Sequence, residues 1–371
     1  MHSSFSIPAC LDRLIAGGAS FALYRLPWRR ESRLVLHSRG EVQRFSDILE
    51  LNGRRGFVMA PFNPSAGTPI ALIVPEYQAE GDGAIARLLE KVDSGNSSRP
   101  PSSSLPAGGR SGNLDFEGYE AVFQRFMEPL REGLCRKLVL SRALRRSLPP
   151  RFSPFETFRE ACRRYPGGMV SLVHTDVTGT WLGCTPEVLL RGEAEKWESV
   201  ALAGTIPIGE AGAGGLGWSM KNRREQAVVA DYVRGILQRF SKSIRENSPR
   251  TVRAGHLAHL RSDFSFDLED RGRLGELLDS LHPTPAVCGF PKAFARDFIL
   301  SHEGFDRRYF TGFLGGLDPG GMSGLYVNLR CMELTGEGAT LYAGGGLLPT
   351  STADSEWRET AEKINTINTL F

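Results

Sequence analysis

The stretch MVSLVHTDVTGTWLGCTPEVLLRGEAEKWESVALAGT, residues 169–205, holds four runs of β-forming residues. The runs are MVSLVHT, GTWLGCT, PEVLLRG and WESVALAGT, and turns such as DVTG and GEAEK join them. Connections this short join antiparallel neighbours, because a parallel pair needs a crossover of about a dozen residues or more. The stretch therefore predicts an antiparallel meander.

Further strands and helices are predicted on both sides of this meander. SFALYRLP, RLVLHS, RGFVMAPF and PIALIVPEY, which precede it, have the composition of strands separated by turn residues. Apolar residues at helical spacing predict an amphipathic helix over 114–133, and a second long helix is predicted from about residue 221 to 240. GLYVNLRCMEL and GATLYAGGGLLP predict a hairpin before the final helix. The fold class expected is α+β, with a large antiparallel sheet system covered by helices.

A Ser-, Pro- and Gly-rich segment, SGNSSRPPSSSLPAGGRSGN at residues 94–113, interrupts this pattern. Such a composition cannot bury enough apolar surface to fold, so we expect a flexible loop there. The segment separates residues 1–93 from residues 114–371, and a chain of 371 residues can form one large domain or two ordinary ones.

Composition limits the classes of function. Lys and Arg number 45 against 42 Asp and Glu, and this net charge of +3 provides no strong field for nucleic acid or an anionic membrane. The six cysteines are scattered without a C-x-x-C pair, which disfavours a zinc ribbon or a disulfide framework. No signal peptide and no membrane span are predicted. We expect a cytoplasmic protein with reduced thiols, and the sequence leaves the oligomeric state open, a monomer included.

Two sequence motifs match functional patterns but lack the surrounding features that those functions require. GAGGLG at residues 212–217 satisfies G-x-G-x-x-G, but a helix follows where a dinucleotide-binding fold needs a further strand, so we expect a Gly-rich loop. His256 and His259 form H-x-x-H without the glutamate of a zinc protease, and polar packing is the expectation for both. No G-x-S-x-G motif supports a serine hydrolase.

Three glutamates on two predicted helices indicate a cation site. Glu225 lies four residues before Val229, on the apolar face of its helix, where an unpaired carboxylate is costly. Glu356 and Glu359 lie three apart in SEWRETAEK, near the end of the chain. Solvated helix faces and a frayed helix end are the alternatives. If the two helices meet, carboxylate oxygens favour Mg²⁺, which also binds an anionic group of a substrate.

Nine ordered sequence blocks resemble the chorismate-utilising enzymes. They are KLVLSR, GCTPEVLLR, ALAGT, KNRREQ, LHPTPAVCGFP, FDRRYFTGFLG, VNLRC, LYAGGGL and EWRETAEK, and they cover the chain from about residue 115 to its end. The resemblance implies one domain over 1–371, with two stacked antiparallel sheets, helices outside, and a Mg²⁺-dependent site for chorismate. Residues 1–93 are less typical of the family.

The same resemblance implies roles for individual residues. Lys137 is the base that activates water, Glu187 is the acid near the departing hydroxyl group, and Glu225 and Glu359 hold Mg²⁺ on the ring carboxylate, with Glu356 supporting them. A free lysine has a pKa of about 10.4, so a lysine that acts as a base requires a site that lowers this pKa. Without the resemblance, Lys137 is as well explained as a charge at a strand edge, and Glu187 as a solvated turn residue.

Substrate-contacting residues are implied in the same way. Arg330 can clamp a carboxylate with two parallel hydrogen bonds, and the resemblance gives it the enolpyruvyl group with Lys363 nearby. A strand-surface arginine and tight sheet packing around the glycines are the alternatives. The remaining positions implied to contact the substrate are Gly204, Thr205, His282, Ala286, Gly344 and Gly346.

Within the family, the sequence is most similar to the isochorismate synthases. Lys137 is present, Ala203 stands where a nucleophilic lysine occurs in aminodeoxychorismate synthases, and Ala286 stands where ammonia-using relatives carry threonine. The expected reaction is a Mg²⁺-dependent, reversible isomerisation of chorismate to isochorismate. The alternatives are a salicylate synthase, which also releases pyruvate, and a non-catalytic chorismate-binding protein. Asn222 and Gln226 depart from the usual acid and histidine, and the sequence does not distinguish a menaquinone from a siderophore pathway.

Overall fold

The computed structural model describes residues 6–95, 114–208, 217–255 and 257–371. Residues 96–113 of the flexible loop predicted at 94–113, most of the GAGGLG motif and His256 lie outside these ranges. The first two residues of that predicted loop form the end of a helix instead. The described residues form two antiparallel sheets with helices packed on their outer faces, which confirms the predicted α+β class.

The first sheet has nine strands, all paired antiparallel. In spatial order they are β15 (Gly289–Phe290), β7 (Lys137–Arg146), β19 (Gly338–Leu347), β18 (Cys331–Thr335), β9 (Gly179–Thr185), β8 (Met169–Thr175), β1 (Ser20–Arg25), β2 (Ser32–His37) and β6 (Tyr77–Glu80).

The second sheet has ten strands, also antiparallel. In spatial order they are β12 (Ile244–Glu246), β14 (Leu257–Asp267), β11 (Lys196–Pro207), β10 (Val188–Glu193), β17 (Ser323–Val327), β16 (Phe313–Leu317), β4 (Gly56–Ala60), β5 (Ile70–Ile73) and β3 (Gln43–Phe45), and β13 (Arg250–Ala254) also pairs with β14.

Eight α-helices lie within the described residues. They are α1 (Ile7–Ala16), α2 (Asp82–Gly95), α3 (Phe116–Arg131), α4 (Pro154–Arg164), α5 (Met220–Leu237), α6 (Leu274–Leu281), α7 (Lys292–His302) and α8 (Ala353–Asn368). Helices α1, α2, α4 and α8 cover the first sheet, α5 and α6 cover the second, and α3 and α7 pack beside β7. None of the helices described is long and apolar enough to cross a membrane.

The two sheets stack through a shared apolar layer. Phe57, Val173, Trp181, Tyr326 and Tyr342 from both sheets are buried together in this layer. Burial of each large apolar side chain stabilises the fold by about 1.5–3 kcal/mol, so the layer fixes the positions of the strands that carry the site. Strands from residues 20–80 belong to both sheets, so the less typical N-terminal part is built into the same sandwich.

The predicted meander is divided between the sheets. β8 pairs with β9 and β10 pairs with β11, as expected, but β9 belongs to the first sheet and β10 to the second. The chain crosses at Pro186 and Glu187, where proline has no N–H to continue the ladder of β9. Glu187 is therefore at a passage between the two sheets and not at a solvated hairpin turn.

A second passage divides GLYVNLRCMEL, which the sequence pattern predicted as one strand of a hairpin. β17 lies in the second sheet, β18 lies in the first, and only β18 pairs with β19. The chain turns at Arg330, whose φ of 46° lies in the left-handed region that few non-glycine residues adopt. Both passages between the sheets thus carry a residue predicted to be in the site.

Candidate active site

The two passages meet at one end of the sandwich. The N–H of Cys184, at the end of β9, donates to the carbonyl of Arg330 at 2.9 Å, and the N–H of Val327 donates to the carbonyl of Glu187 at 3.0 Å. These bonds hold the two crossing segments side by side. Glu187 and Arg330 are both buried, so neither is the surface residue that the alternative interpretations proposed.

A small cavity of about 60 Å³ lies between these segments. Nine residues predicted from the sequence line it, and they are Glu187, Gly204, Thr205, Glu225, Ala286, Arg330, Gly344, Gly346 and Lys363. Ala203, His259, Phe310 and Tyr342 are among the other lining residues. Pockets for small molecules usually measure about 300–1,000 Å³, so a substrate can enter only if side chains move.

Lys137 adjoins this cavity. It is fully buried at the start of β7, and its Nζ lies 3.0 Å from Oε1 of Glu225. A Cβ atom on Gly346 would lie 2.1 Å from Glu225 Oε1 and 2.8 Å from Lys137 Cε, so glycine is required for the close approach of these side chains. Glu225 reaches the site because it lies one turn before Val229 on the buried face of α5.

Two further carboxylates come from α8. Glu356 is fully buried, its Oε1 accepts a hydrogen bond from Lys221, and its Oε2 has no hydrogen-bond partner among the described residues. Glu359 Oε1 accepts a hydrogen bond from Lys363 at 2.7 Å, and Lys363 also donates to the carbonyl of Gly344 at 2.8 Å. The SEWRETAEK glutamates are therefore not on a solvated helix face.

The charges of these groups are strongly coupled. Burial and the charge of Glu359 raise the pKa of Glu356, against the opposing effect of Lys221. Burial also disfavours ionisation of Glu359, but Lys363 and Lys221 outweigh it and hold the pKa of Glu359 below its usual range. The pair on α8 therefore combines one ionised carboxylate with one that readily takes up a proton near neutrality.

Glu187 has the properties of a proton donor. Burial raises its pKa from 4.5 to about 7, against the opposing charges of Lys137, Lys363 and Arg330. A carboxyl group with this pKa is protonated in a large fraction of molecules near neutral pH, as a general acid requires.

Glu187→Gln is expected to stabilise the protein, and more so at higher pH. Because the folded state raises the pKa, stability is lost as pH increases from about 4.5 to about 7 and stays lost above it. Glutamine does not titrate. Urea denaturation should therefore show that the free energy of unfolding of the variant exceeds that of the unsubstituted protein by about 3 kcal/mol at pH 8 and by less than about 1 kcal/mol at pH 5.

Glu193→Gln, at the exposed end of β10, is the control for loss of a surface charge in this experiment. An equal gain at both pH values for Glu187→Gln, or a loss at pH 8, would show that the folded protein does not disfavour ionisation of Glu187.

His259 is a site residue that the sequence analysis missed. Its Nδ1 lies 3.2 Å from the carbonyl oxygen of Gly204 and from Oγ1 of Thr205, and its Nε2 lies 3.3 Å from Nη2 of Arg330. Burial and the charges of Arg330 and Lys363 lower the pKa of His259 far below its usual value, so the ring is neutral. Nδ1 therefore carries the hydrogen, and Nε2 accepts a hydrogen bond from the guanidinium.

This imidazole helps to fix Arg330 in the cavity. Arg330 also donates to Oγ1 of Thr366 at 3.1 Å, and burial lowers its pKa to about 10. Neither partner is a carboxylate, so the guanidinium keeps its charge for an anionic ligand. Gly204, at φ 74°, interrupts the register of β11 with β14 and brings the backbone close to the cavity.

His282 is not brought to the cavity. Its Nε2 lies 3.1 Å from the carbonyl oxygen of Pro61, and its ring packs 5.1 Å from that of Phe313. Phe313 belongs to the apolar cluster on the outer face of the second sheet, under α5 and α6. Burial lowers the pKa of His282 to about 3, so it is a neutral packing residue that donates to Pro61.

The two departures from the family pattern have local partners. Asn222 is buried in the first turn of α5, where its Cα and Cβ pack against Gly204. Gln226 is buried, and its Nε2 donates to Oγ of Ser262 at 2.8 Å. Neither residue contacts Glu356 or Glu359 through a hydrogen bond in the described structure.

A larger groove of about 630 Å³ lies elsewhere, at the opposite end of β10 and β11. Tyr24, Arg33, Arg191, Lys196 and Tyr326 are among its lining residues. No residue predicted for catalysis or metal binding lines it, and its charged residues include surface ion pairs such as Arg191 with Glu198. The predicted catalytic and metal-binding residues therefore favour the smaller cavity as the candidate active site.

The carboxylates were tested as a magnesium site. Within the described ranges, no three His, Cys, Asp or Glu side chains converge closely enough to hold a metal ion. Glu225, Glu356 and Glu359 are nevertheless buried or half-buried oxygen donors near one another, and one oxygen of Glu356 is unpartnered. Oxygen donors of this type suit Mg²⁺. The chemical type of these residues therefore suits Mg²⁺. In this structure, the carboxylates pair with lysine ammonium groups.

Comparison with known proteins identifies the family. The family model described as "Chorismate binding enzyme" matches residues 72–371. Because this match covers about four fifths of the sequence, the chain belongs to the chorismate-binding enzymes.

Several relatives of the chain carry the name isochorismate synthase. Isochorismate synthase DhbC of Bacillus subtilis is 33% identical over 265 residues, which cover 68% of this chain and 67% of the relative. The salicylate biosynthesis isochorismate synthase of Pseudomonas aeruginosa is 32% identical over 274 residues, covering 72% and 57%. The chain thus matches about three fifths to two thirds of the length of these two relatives.

A solved structure matches the whole sandwich. The crystal structure of DhbC from Bacillus anthracis aligns with a TM-score of 0.78 and 25% identity, covering 95% of this chain and 96% of that chain. The match includes residues 1–93 in large part, which supports the placement of the N-terminal strands in the same two sheets.

Proposed function

We propose that this chain is an isochorismate synthase that converts chorismate reversibly to isochorismate. The observation that carries the proposal is one small cavity lined by a buried carboxyl group with a pKa of about 7 and by Arg330, with a buried lysine beside it. The names of the relatives DhbC and the Pseudomonas aeruginosa protein support the same reaction.

The isomerisation requires one base and one acid. Water adds its oxygen to C2 of the ring as the C4 hydroxyl group leaves, and the ring double bonds shift between these positions. Lys137 is the group that takes a proton from the attacking water, and protonated Glu187 gives a proton to the departing hydroxyl group. One water enters and one leaves, so the reaction needs no further reactant and runs in both directions.

Substrate orientation follows from charge. Chorismate carries two carboxylates, and Arg330, held by His259 and Thr366, offers a guanidinium for the one on the enolpyruvyl group. Lys363 adds a second positive charge beside Gly344. Gly344 and Gly204 let the backbone approach the ring without steric hindrance from side chains.

Magnesium is the cofactor that we propose for the ring carboxylate. Glu225 and Glu359 would hold it, with Glu356 supporting them, and the bound ion supplies positive charge that binds and polarises that carboxylate. Without the ion, no divalent charge would bind or polarise the ring carboxylate.

Water is the proposed nucleophile because the cavity lacks features for ammonia. Ala203 and Ala286 line it, where resemblance places a nucleophilic lysine or a threonine in the family members that aminate chorismate. Both alanines leave a small, apolar wall. None of the described residues that line the cavity specifically favours the formation of salicylate and pyruvate.

The proposal is tested by approaching equilibrium from both sides. With Mg²⁺, chorismate and isochorismate in separate reactions should converge on the same mixture, because the two isomers differ only in the positions of one hydroxyl group and the double bonds. Chromatography of both time courses measures the ratio. Conversion in neither direction would contradict the proposal and favour the binding-protein alternative.

The biological setting follows less directly. One relative is named for salicylate biosynthesis and another is named as vibriobactin-specific, and these different names do not select between a siderophore and menaquinone for the product of this chain. A cytoplasmic location and the lack of a nucleic-acid partner remain predictions from composition.

A further inference from the structure

The ammonium group of Lys221 contacts one of the carboxylates of the proposed metal site. It forms an ion pair with Glu356 Oε1 and also interacts electrostatically with Glu359 and Glu225. Lys221 is therefore a cation held by Glu356, beside the carboxylates that would bind the divalent ion.

The position of Lys221 in its helix gives it no other support. It is the second residue of α5, whose N-cap is Ser219. The N-terminal end of a helix carries partial positive charge, which disfavours a cation there. Contact with the glutamates, and Glu356 above all, must therefore hold the ammonium group in place.

The two partners also differ in exposure. The side chain of Glu356 has 0% exposure, whereas that of Lys221 has 22% exposure. The lysine can thus withdraw towards solvent on its flexible stem while the glutamate stays buried in α8. A divalent ion at this group of carboxylates would face the ammonium that Glu356 holds, and two cations close together in a buried site repel each other strongly.

We infer that Lys221 is a built-in competitor of the metal, which neutralises the buried carboxylates in the metal-free protein and leaves them when the divalent ion binds. This inference rests on the proposed function only through the shared magnesium site. Lys137 and Lys363 pair with the same group of glutamates, but each adjoins or lines the cavity, whereas Lys221 does not line it. Lys221 therefore acts on metal loading and not on the substrate.

Competition of this kind has two consequences. The metal-free site stays folded and assembled, because no buried carboxylate is left without a cation. The apparent affinity for the metal is also reduced, because the ion binds only the fraction of molecules in which the ammonium has withdrawn.

Lys221→Met is the direct test, with Mg²⁺ alone as the probe. Isothermal titration calorimetry should show Mg²⁺ binding at least about tenfold tighter in the variant than in the unsubstituted protein, because the competing cation is gone. Lys196→Met is the matched control, since it removes an exposed lysine paired with Asp267 in the remote groove. It should leave the Mg²⁺ affinity unchanged.

A second measurement covers the case in which Lys221→Met folds poorly. Lys221→Gln keeps a hydrogen-bond donor without the charge, and its melting temperature is compared in EDTA and in saturating Mg²⁺. We expect a lower melting temperature than that of the unsubstituted protein in EDTA and a difference that disappears in Mg²⁺.

The outcomes separate this inference from the proposed function. Mg²⁺ affinity that is equal or weaker in both Lys221 variants would overturn the exchange and make Lys221 a supporting residue of the loaded site. Absence of Mg²⁺ binding in every variant and in the unsubstituted protein, with activity intact, would overturn the proposed magnesium site itself.

Discussion

Lys137→Gln is expected to lower the turnover of chorismate by about 10²–10⁴-fold, the usual contribution of a general base. The side chain is fully buried beside Glu225, with no exposure that a surface lysine would have. Glutamine has a similar length but cannot take a proton from water. Steady-state kinetics measure the loss in turnover, and calorimetry should show that chorismate still binds, because Lys137 acts on water and not on a substrate carboxylate.

The control for this prediction is Lys196→Gln, which removes an exposed lysine far from the cavity. Its turnover should equal that of the unsubstituted protein. If Lys137→Gln kept near-normal turnover while folded, Lys137 would have no role as the base, and the proton acceptor would have to be sought elsewhere in the cavity.

Removal of divalent ions is expected to reduce activity at least about a hundredfold, because metal charge contributes several kcal/mol to reactions of bound anions. Without the ion, the three glutamates stay paired with lysine ammonium groups, and no divalent charge polarises the ring carboxylate. Activity is measured after exhaustive dialysis against EDTA and again after Mg²⁺ is restored, which should recover it.

Glu225→Gln is the companion variant for this test. It should require more Mg²⁺ for half-maximal activity. The change in its free energy of unfolding should be smaller than the change in its free energy of Mg²⁺ binding. Full turnover after complete chelation would contradict the proposed metal site, and an unchanged Mg²⁺ requirement in Glu225→Gln would remove that glutamate from it.

Local patterns predicted much of this fold. The helical spacing of Tyr119, Phe123, Phe126 and Leu130 corresponds to the buried face of α3, and Glu225 lies on the buried face of α5 as its register with Val229 indicated. These features depend only on periodicity within one element. For the same reason, the antiparallel hairpins β8–β9 and β10–β11 followed from the short turns between their strands.

Features that depend on distant partners were not predicted. Periodicity gives no sign of which sheet a strand joins, so the passages at Glu187 and Arg330 were missed. The partner of His259 in the cavity is Arg330, which is 71 residues away in sequence. The H-x-x-H spacing therefore could not predict this contact. His282 was expected in the cavity because of its motif, but packing against Phe313 places it on the outer face of the second sheet.

The role of Lys221 was also invisible in the sequence. A lysine at the start of a helix is normally a solvated charge, and only the meeting of α5 with α8 brings it to Glu356. Resemblance supplied the candidate acid, base and metal ligands, whereas the structure adds how cations and anions are paired around them.

The most direct test of the proposed function is the product formed from chorismate. With Mg²⁺, chromatography should show isochorismate rising to a constant ratio with chorismate, and a lactate dehydrogenase assay should detect no pyruvate at the rate of turnover. Added ammonium should yield no aminated product. Stoichiometric pyruvate together with salicylate would contradict the proposal and identify a salicylate synthase, because that outcome requires elimination of the enolpyruvyl group, which the proposed reaction leaves intact.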